Sequence, residues 1–161
     1  MGASSIYRHV ESKEELLVQE LADLQEEAWT RFRQQETGAL STQERMRRFF
    51  LAQHELLAEG PDLTRIALRA TTYPQARVAR SVLALQDRTI GLIAEILMNG
   101  RMRGDVRRDV DVVTAARTLF HAASGARTSW ANGLLDEDAC RVAIESTITL
   151  LFTGLALGDV P

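Results

Sequence analysis

Apolar residues recur along almost the whole chain at alternating steps of three and four, the spacing that gathers side chains into one stripe of an α-helix. Leu17, Leu21, Leu24, Ala28 and Phe32 form the first stripe. Met46, Phe49, Phe50, Gln53, Leu56 and Leu57 form a second, and Val78, Val82, Leu85, Thr89, Leu92 and Ile96 a third and longer one. Leu119, Phe120, Ala123, Ala126 and Trp130 share the apolar side of an Ala-rich segment that follows. The boundaries come from capping chemistry. Ser12 with Glu15, and Ser41 with Glu44, have the spacing of a capping box, in which the serine hydroxyl accepts a backbone N–H and the glutamate reaches back to the cap's own N–H. Gly60-Pro61 ends the second helix, with a left-handed glycine cap expected and a proline that cannot continue the ladder. The pattern predicts helices from Ser12, from Ser41 to Gly60, over about 62–70, from Val78 to about 100–104, over 111–132, and over 136–157. No alternating strand pattern competes, and no internal repeat appears. The fold class expected is all-α.

Composition narrows the function classes. The 161 residues are 45% hydrophobic and 25% charged, with a net charge of −3. That is an ordinary globular composition of one domain, without the strong basic field that accompanies a complete nucleic-acid-binding module. The single cysteine, Cys140, allows no intramolecular disulfide and has no neighbours at metal-ligand spacing. No apolar run reaches the roughly 18 residues of a membrane span, and the N-terminus lacks the form of a signal peptide. A cytoplasmic location, with no membrane partner, follows as the expectation. Nearly all basic residues are arginine, Lys13 being the lone lysine, which reads as the bias of a GC-rich genome.

The most specific string is at the start: Ser5-Ile6-Tyr7-Arg8-His9-Val10, followed by Ser12-Lys13-Glu14-Glu15-Leu16-Leu17. It resembles the TetR family of bacterial repressors. There a recognition helix ends in a Thr/Ser-Leu/Ile-Tyr-x-His-Phe run, and a Ser-Lys-Glu/Asp-x-Leu step opens the helix linking the DNA-binding head to the regulatory body. The helix order from Ser12 onward matches that body, and Gly104 to Asp111 is similar to a turn frequent in the family. The resemblance implies a TetR-like C-terminal helical regulatory domain over 12–161, preceded over 1–11 by a remnant of the recognition helix of a helix-turn-helix. In that pattern Ser4 and Ser5 are groove-facing, Tyr7 and His9 meet sugar-phosphate, and Lys13 adds a phosphate contact at a helix N-terminus. Alternatively Ile6 and Val10 are core, Tyr7 is a packing aromatic and Lys13 a solvated neighbour of a cap. The family pattern places about three dozen residues ahead of Ser5, so the head is expected to be incomplete. Operator DNA would then be a partner only when the head is complete. A start codon inside a longer reading frame is the explanation expected.

The body is less specific. Trp29, Phe49, Phe50, Tyr73, Met98, Phe120 and Trp130 are candidates to line an apolar cavity for an unidentified small-molecule effector. Phe50, His54, Tyr73, Gln86, Phe120 and His121 are the ligand-binding candidates, although taken one at a time His54, Gln86 and His121 read first as core or surface residues. Arg47-Arg48 and Arg107-Arg108 read as solvated charge. The last two helices carry small and branched residues on more than one face: Ala115, Ala116, Ala122 and Ala123, then Ile144, Thr147, Ile148, Leu151 and Leu155. A helix apolar on several faces needs cover on several sides, which a four-helix homodimer interface supplies. Catalytic residues, metal ligands and cofactors are not expected: the three histidines lie far apart, and no nucleophile elbow or Gly-rich loop is present. The function expected is a ligand-responsive TetR-type transcription regulator acting as a repressor. The alternatives are a stand-alone helical module that binds a small molecule or dimerises without touching DNA, and a helical-bundle enzyme.

Overall fold

The computed structural model describes residues 3–36 and 38–155, with side chains from Lys13 onward. Six helices follow one another: α1 Ala3–Gln34, α2 Thr42–Glu59, α3 Pro61–Thr72, α4 Ala76–Arg103, α5 Val112–Ala131 and α6 Glu137–Leu155. There is no strand among the described residues, and the expected all-α class holds.

The predicted boundaries of α2 to α6 agree with these to within a few residues, and capping accounts for most of them. Ser41 Oγ accepts from the Glu44 amide at 3.2 Å. The reciprocal half of that capping box does not form, because the Glu44 carboxylate is taken by Arg47 Nε at 2.9 Å and Arg48 Nε at 3.1 Å. Asp111 caps α5, accepting from the amides of Val113 and Thr114 at 3.1 and 3.2 Å, and these bonds with the Thr114 hydroxyl hold its pKa below the ordinary carboxylate value. Gly60 joins α2 to α3 with φ −133°, so it is not left-handed; Pro61 at the first position of α3 makes the break without it. The left-handed glycine cap is Gly104 (φ 88°), whose N–H bonds back to the carbonyls of Gly100 and Arg101 at 3.0 and 3.3 Å.

The start of α1 departs from expectation. Ser12 does not begin a helix, since α1 runs unbroken from Ala3 through it. No glycine or proline interrupts residues 3–12, and a cap preference of order 1 kcal/mol is too weak to stop a run of helix-tolerant residues. The proposed boundary between residues 11 and 12 therefore falls inside a continuous helix.

The core lies between α1, α2, α4, α5 and α6, around Met46, Phe49, Leu92, Ile93, Leu97, Leu119 and Ile148, all essentially inaccessible. Trp29, Phe32, Phe49 and Phe50 interlock where α1 crosses α2, with ring centroids 5.2–5.9 Å apart. α1 also packs on α3 and α4, where Val18 meets Val78 and Val82. Ion pairs bridge the same two helices outside: Arg88 to Glu26 at 2.7 Å, Arg33 to Glu95 at 3.3 Å and Arg77 to Glu15 at 3.4 Å. Their side chains are largely exposed, so each adds little, about 0–1 kcal/mol. The far end of α4 is fixed to the start of α2 through Asp105, which accepts from the Thr42 amide at 2.7 Å and the Thr42 hydroxyl at 2.6 Å.

Candidate ligand cavity

Between α1, α2, α3, α4 and α5 the packing leaves a cavity of about 250 Å³, just under the roughly 300–1,000 Å³ usual for small-molecule sites. Its walls are mainly aliphatic: Leu21 and Leu24 of α1, Leu57 of α2, Leu68 of α3, and Val82 and Leu85 of α4, with Phe120 of α5. Each comes from the inward stripe of its helix. Set into these walls are Gln25, Gln53, Gln86, Thr89, Ser124, Arg127 and Thr128. The Thr89 hydroxyl bridges Gln25 Oε1 on α1 and the Leu85 carbonyl of its own helix, the latter at 2.9 Å. Gln25 Nε2 is then left buried with no partner among the described residues.

Of the six ligand-binding candidates, Gln86 and Phe120 line this cavity and the other four do not. Phe50 is buried in the aromatic cluster at the α1–α2 crossing, a place fixed by its i+1 step from Phe49. His54 is buried against Trp130, ring centroids 5.6 Å apart, and neither ring nitrogen has a hydrogen-bond partner among the described residues. Burial, reinforced by the positive charge of Arg127, lowers its pKa below 6.5. Tyr73 is 89% exposed, at the C-cap of α3 (φ −131°, ψ 69°) where the chain leaves the helix ahead of Pro74. His121 lies on the outer side of α5, exposed beside Phe120. Trp29, Phe49, Met98 and Trp130, the other aromatic and apolar candidates, are likewise outside the cavity walls.

Gln25, Gln53, Thr89 and Arg127 line the site without having been predicted as ligand contacts. A signal for them exists. Gln53 and Thr89 occupy positions of their helices' apolar stripes, Gln25 stands four residues after Leu21, and Arg127 four after Ala123. A polar side chain in an apolar stripe must find a partner or a cavity.

The side chains of the DNA-contact candidates Ser4, Ser5, Tyr7 and His9 lie outside the described residues. Lys13 is exposed. It stands ten residues into α1 rather than in a first helical turn, which removes the helix-terminus reason for an anion there. Among the described residues no group of three or more His, Cys, Asp or Glu is placed to hold a metal ion, and no helix is long and apolar enough to cross a membrane.

This helical array has a known counterpart. The chain superposes on the crystal structure of a protein from Syntrophomonas wolfei assigned to the TetR family of transcriptional regulators, with a TM-score of 0.76 and 15% identity, over 100% of this chain and 82% of that one. The fold is therefore TetR-like. No family model and no curated protein matches the sequence.

Proposed function

We propose that this chain is the regulatory body of a ligand-responsive transcription regulator of the TetR type, acting as a repressor, in which a small molecule in the cavity repositions α1. One observation carries the reading: α1 is itself a wall of the cavity, through Leu21, Leu24 and Gln25, and the same unbroken helix carries the Ser5-to-Lys13 string at its other end. A ligand that displaces Gln25 from Thr89 changes how α1 lies on α4, and a tilt there is transmitted along a rigid helix. Ser4, Ser5, Tyr7, His9 and Lys13 are the residues the family pattern assigns to operator DNA. To turn such a switch from 1:99 to 99:1, the ligand must favour one arrangement by about 10⁴-fold.

Dimerisation through α5 and α6 belongs to the same proposal. On α5, Val113, Thr114, Thr118, His121, Ala122 and Gly125 form an exposed stripe; on α6, Val142, Ser146, Thr149, Leu150 and Thr153 form another. Val113 and Val142 are each 50% exposed and Leu150 74%. The only charged side chains on these stripes are Arg117 and Asp138. Two such faces together make a four-helix seam. The residues singled out from sequence lie mostly elsewhere: Ala115, Ala116, Ala123, Ile144, Ile148 and Leu155 are core, and Leu151 packs against it.

The test pairs two measurements on protein expressed from its full open reading frame. A thermal-shift screen identifies a ligand, since saturation at 100 times Kd stabilises the folded state by about 2.7 kcal/mol. Selection of genomic DNA fragments with and without that ligand then reads the coupling. Sequence-selective retention that the ligand abolishes is expected. No selective retention under either condition refutes a regulator, and retention indifferent to the ligand refutes the switch.

A further inference from the structure

The cavity holds a charge without a counter-charge. Arg127 has five N–H donors, and among the described residues its one hydrogen bond is from Nη2 to Gln53 Oε1 at 2.9 Å. Its Nε is buried with no partner among the described residues. Its guanidinium carbon lies 5.7 Å from the centroid of the Phe50 ring, so an aromatic face rather than a carboxylate supports it. Among the described residues no Asp or Glu lines the cavity. Burial pushes the Arg127 pKa down to about 10, which still leaves it cationic at neutral pH.

A charge withdrawn from water costs several kcal/mol unless it is paired, and a single amide oxygen does not pair it. Three other polar groups of the wall can donate as well. Gln25 offers Nε2 with its own oxygen already occupied by Thr89, and Ser124 and Thr128 stand on the same side of α5 as Arg127 and bring two hydroxyls. The wall also has neutral acceptor oxygens, in the Gln86 amide and in the hydroxyls of Thr71, Thr72 and Thr89, whose protons go to protein oxygens, but it has no anion among the described residues. A cationic ligand would meet repulsion here, and a neutral one would leave the guanidinium as it is.

We infer that the ligand of this cavity is a small amphipathic carboxylate, its anionic head paired with Arg127 and its hydrocarbon or aromatic body against Leu21, Leu24, Leu57, Val82 and Leu85. A carboxylate meets the guanidinium fork with two parallel charge-assisted hydrogen bonds, roughly twice as strong as neutral ones. The inference rests on the cavity being the effector site, as proposed above.

Three probes with the same chain separate the possibilities: octanoate, octan-1-ol and octylammonium, titrated calorimetrically into the full chain at pH 7.5. Octanoate should bind at least tenfold more tightly than octan-1-ol, and octylammonium should bind weakest. Arg127→Met should reduce octanoate to the affinity of octan-1-ol while leaving the alcohol unchanged. Gln53→Glu, which places a carboxylate beside Arg127 Nη2, should do the same by supplying the missing partner internally, and it keeps the test alive if the methionine variant fails to fold. Equal binding of octanoate and octan-1-ol, a preference for octylammonium, or octanoate binding unmoved by both substitutions overturns the anion inference and leaves the cavity as a ligand site. Binding of none of the three overturns the inference and removes the cavity's support for an effector as well.

Discussion

Gly100→Ala tests the junction that fixes one wall of the cavity, α4, to the start of α2. A β-carbon at position 100 would lie 2.2 Å from Thr42 Oγ1, 2.7 Å from its Cγ2 and 2.9 Å from its Cβ. Thr42 must then retreat by more than an ångström, and it is held: 1% exposed, bonded twice to the Asp105 carboxylate and once by Arg103 Nη2 at 3.0 Å. Hydrogen bonds to a charged group contribute about 1.5–3 kcal/mol each, and overpacking adds about 1–3 kcal/mol of strain. Against this stands the helix preference of Ala over Gly, about 1 kcal/mol. With one such bond lost the net cost is about 3 kcal/mol, which in a domain of this size lowers Tm by roughly 6–12 °C. Gly91, on the same helix, is the control: nothing lies within 4 Å of its added β-carbon, so Gly91→Ala should stabilise by about 0.5–1 kcal/mol. Both are read by calorimetry at one protein concentration. A Gly100→Ala protein as stable as the parent would refute the claim that Thr42 is immovable.

The other predictions address pH, assembly and the cavity wall. His54 is held below 6.5 by burial and then by Arg127, so the fold prefers its neutral ring; stability should hold above pH 6.5 and fall as the pH drops from there through the folded-state value, and His54→Leu should flatten that slope in urea titrations. An unchanged slope would mean that another group titrates. Leu150→Asp should convert a dimer to a monomer by light scattering, whereas Leu83→Asp, on an exposed site of α4 (59% exposed), should leave the mass alone; a wild-type monomer at micromolar concentration rejects the seam. Thr89→Val removes the hydroxyl that engages Gln25 and should cost about 1 kcal/mol while weakening the response of α1 to bound ligand, measured as the distance between spin labels on α1 in the two protomers.

What was legible in the sequence follows from where the free energy is local. The Asp111 cap and Pro61 are decided within one turn, and the predicted ends of α2 to α6 fall close to the observed ones. Ser12 has the same local signature as Ser41, yet only Ser41 begins a helix. Ser41 follows Gly38 in a break between helices, where backbone donors need a cap; Ser12 lies in a run that nothing interrupts, so its neighbours' donors are already satisfied within α1. The aromatic candidates illustrate the converse limit. Phe50 and Phe120 are both apolar-stripe aromatics, and only the crossing of α1 over α2 decides that the first fills the core while the second borders empty space.

The polar members of the stripes carry more information than the aromatics did. An apolar side chain is content in a packed core or against a cavity, so its type does not discriminate between them. Gln25, Gln53, Thr89 and Arg127 are different, because each is costly to bury without a partner. Two pairs meet across helices, Gln25 with Thr89 and Gln53 with Arg127, and each pair leaves a donor over. A core built only for stability would do better with leucine at these four positions. Their presence, with two donors left buried and unpartnered in the described residues, is what supports the proposal that this space receives an acceptor rather than being a packing defect.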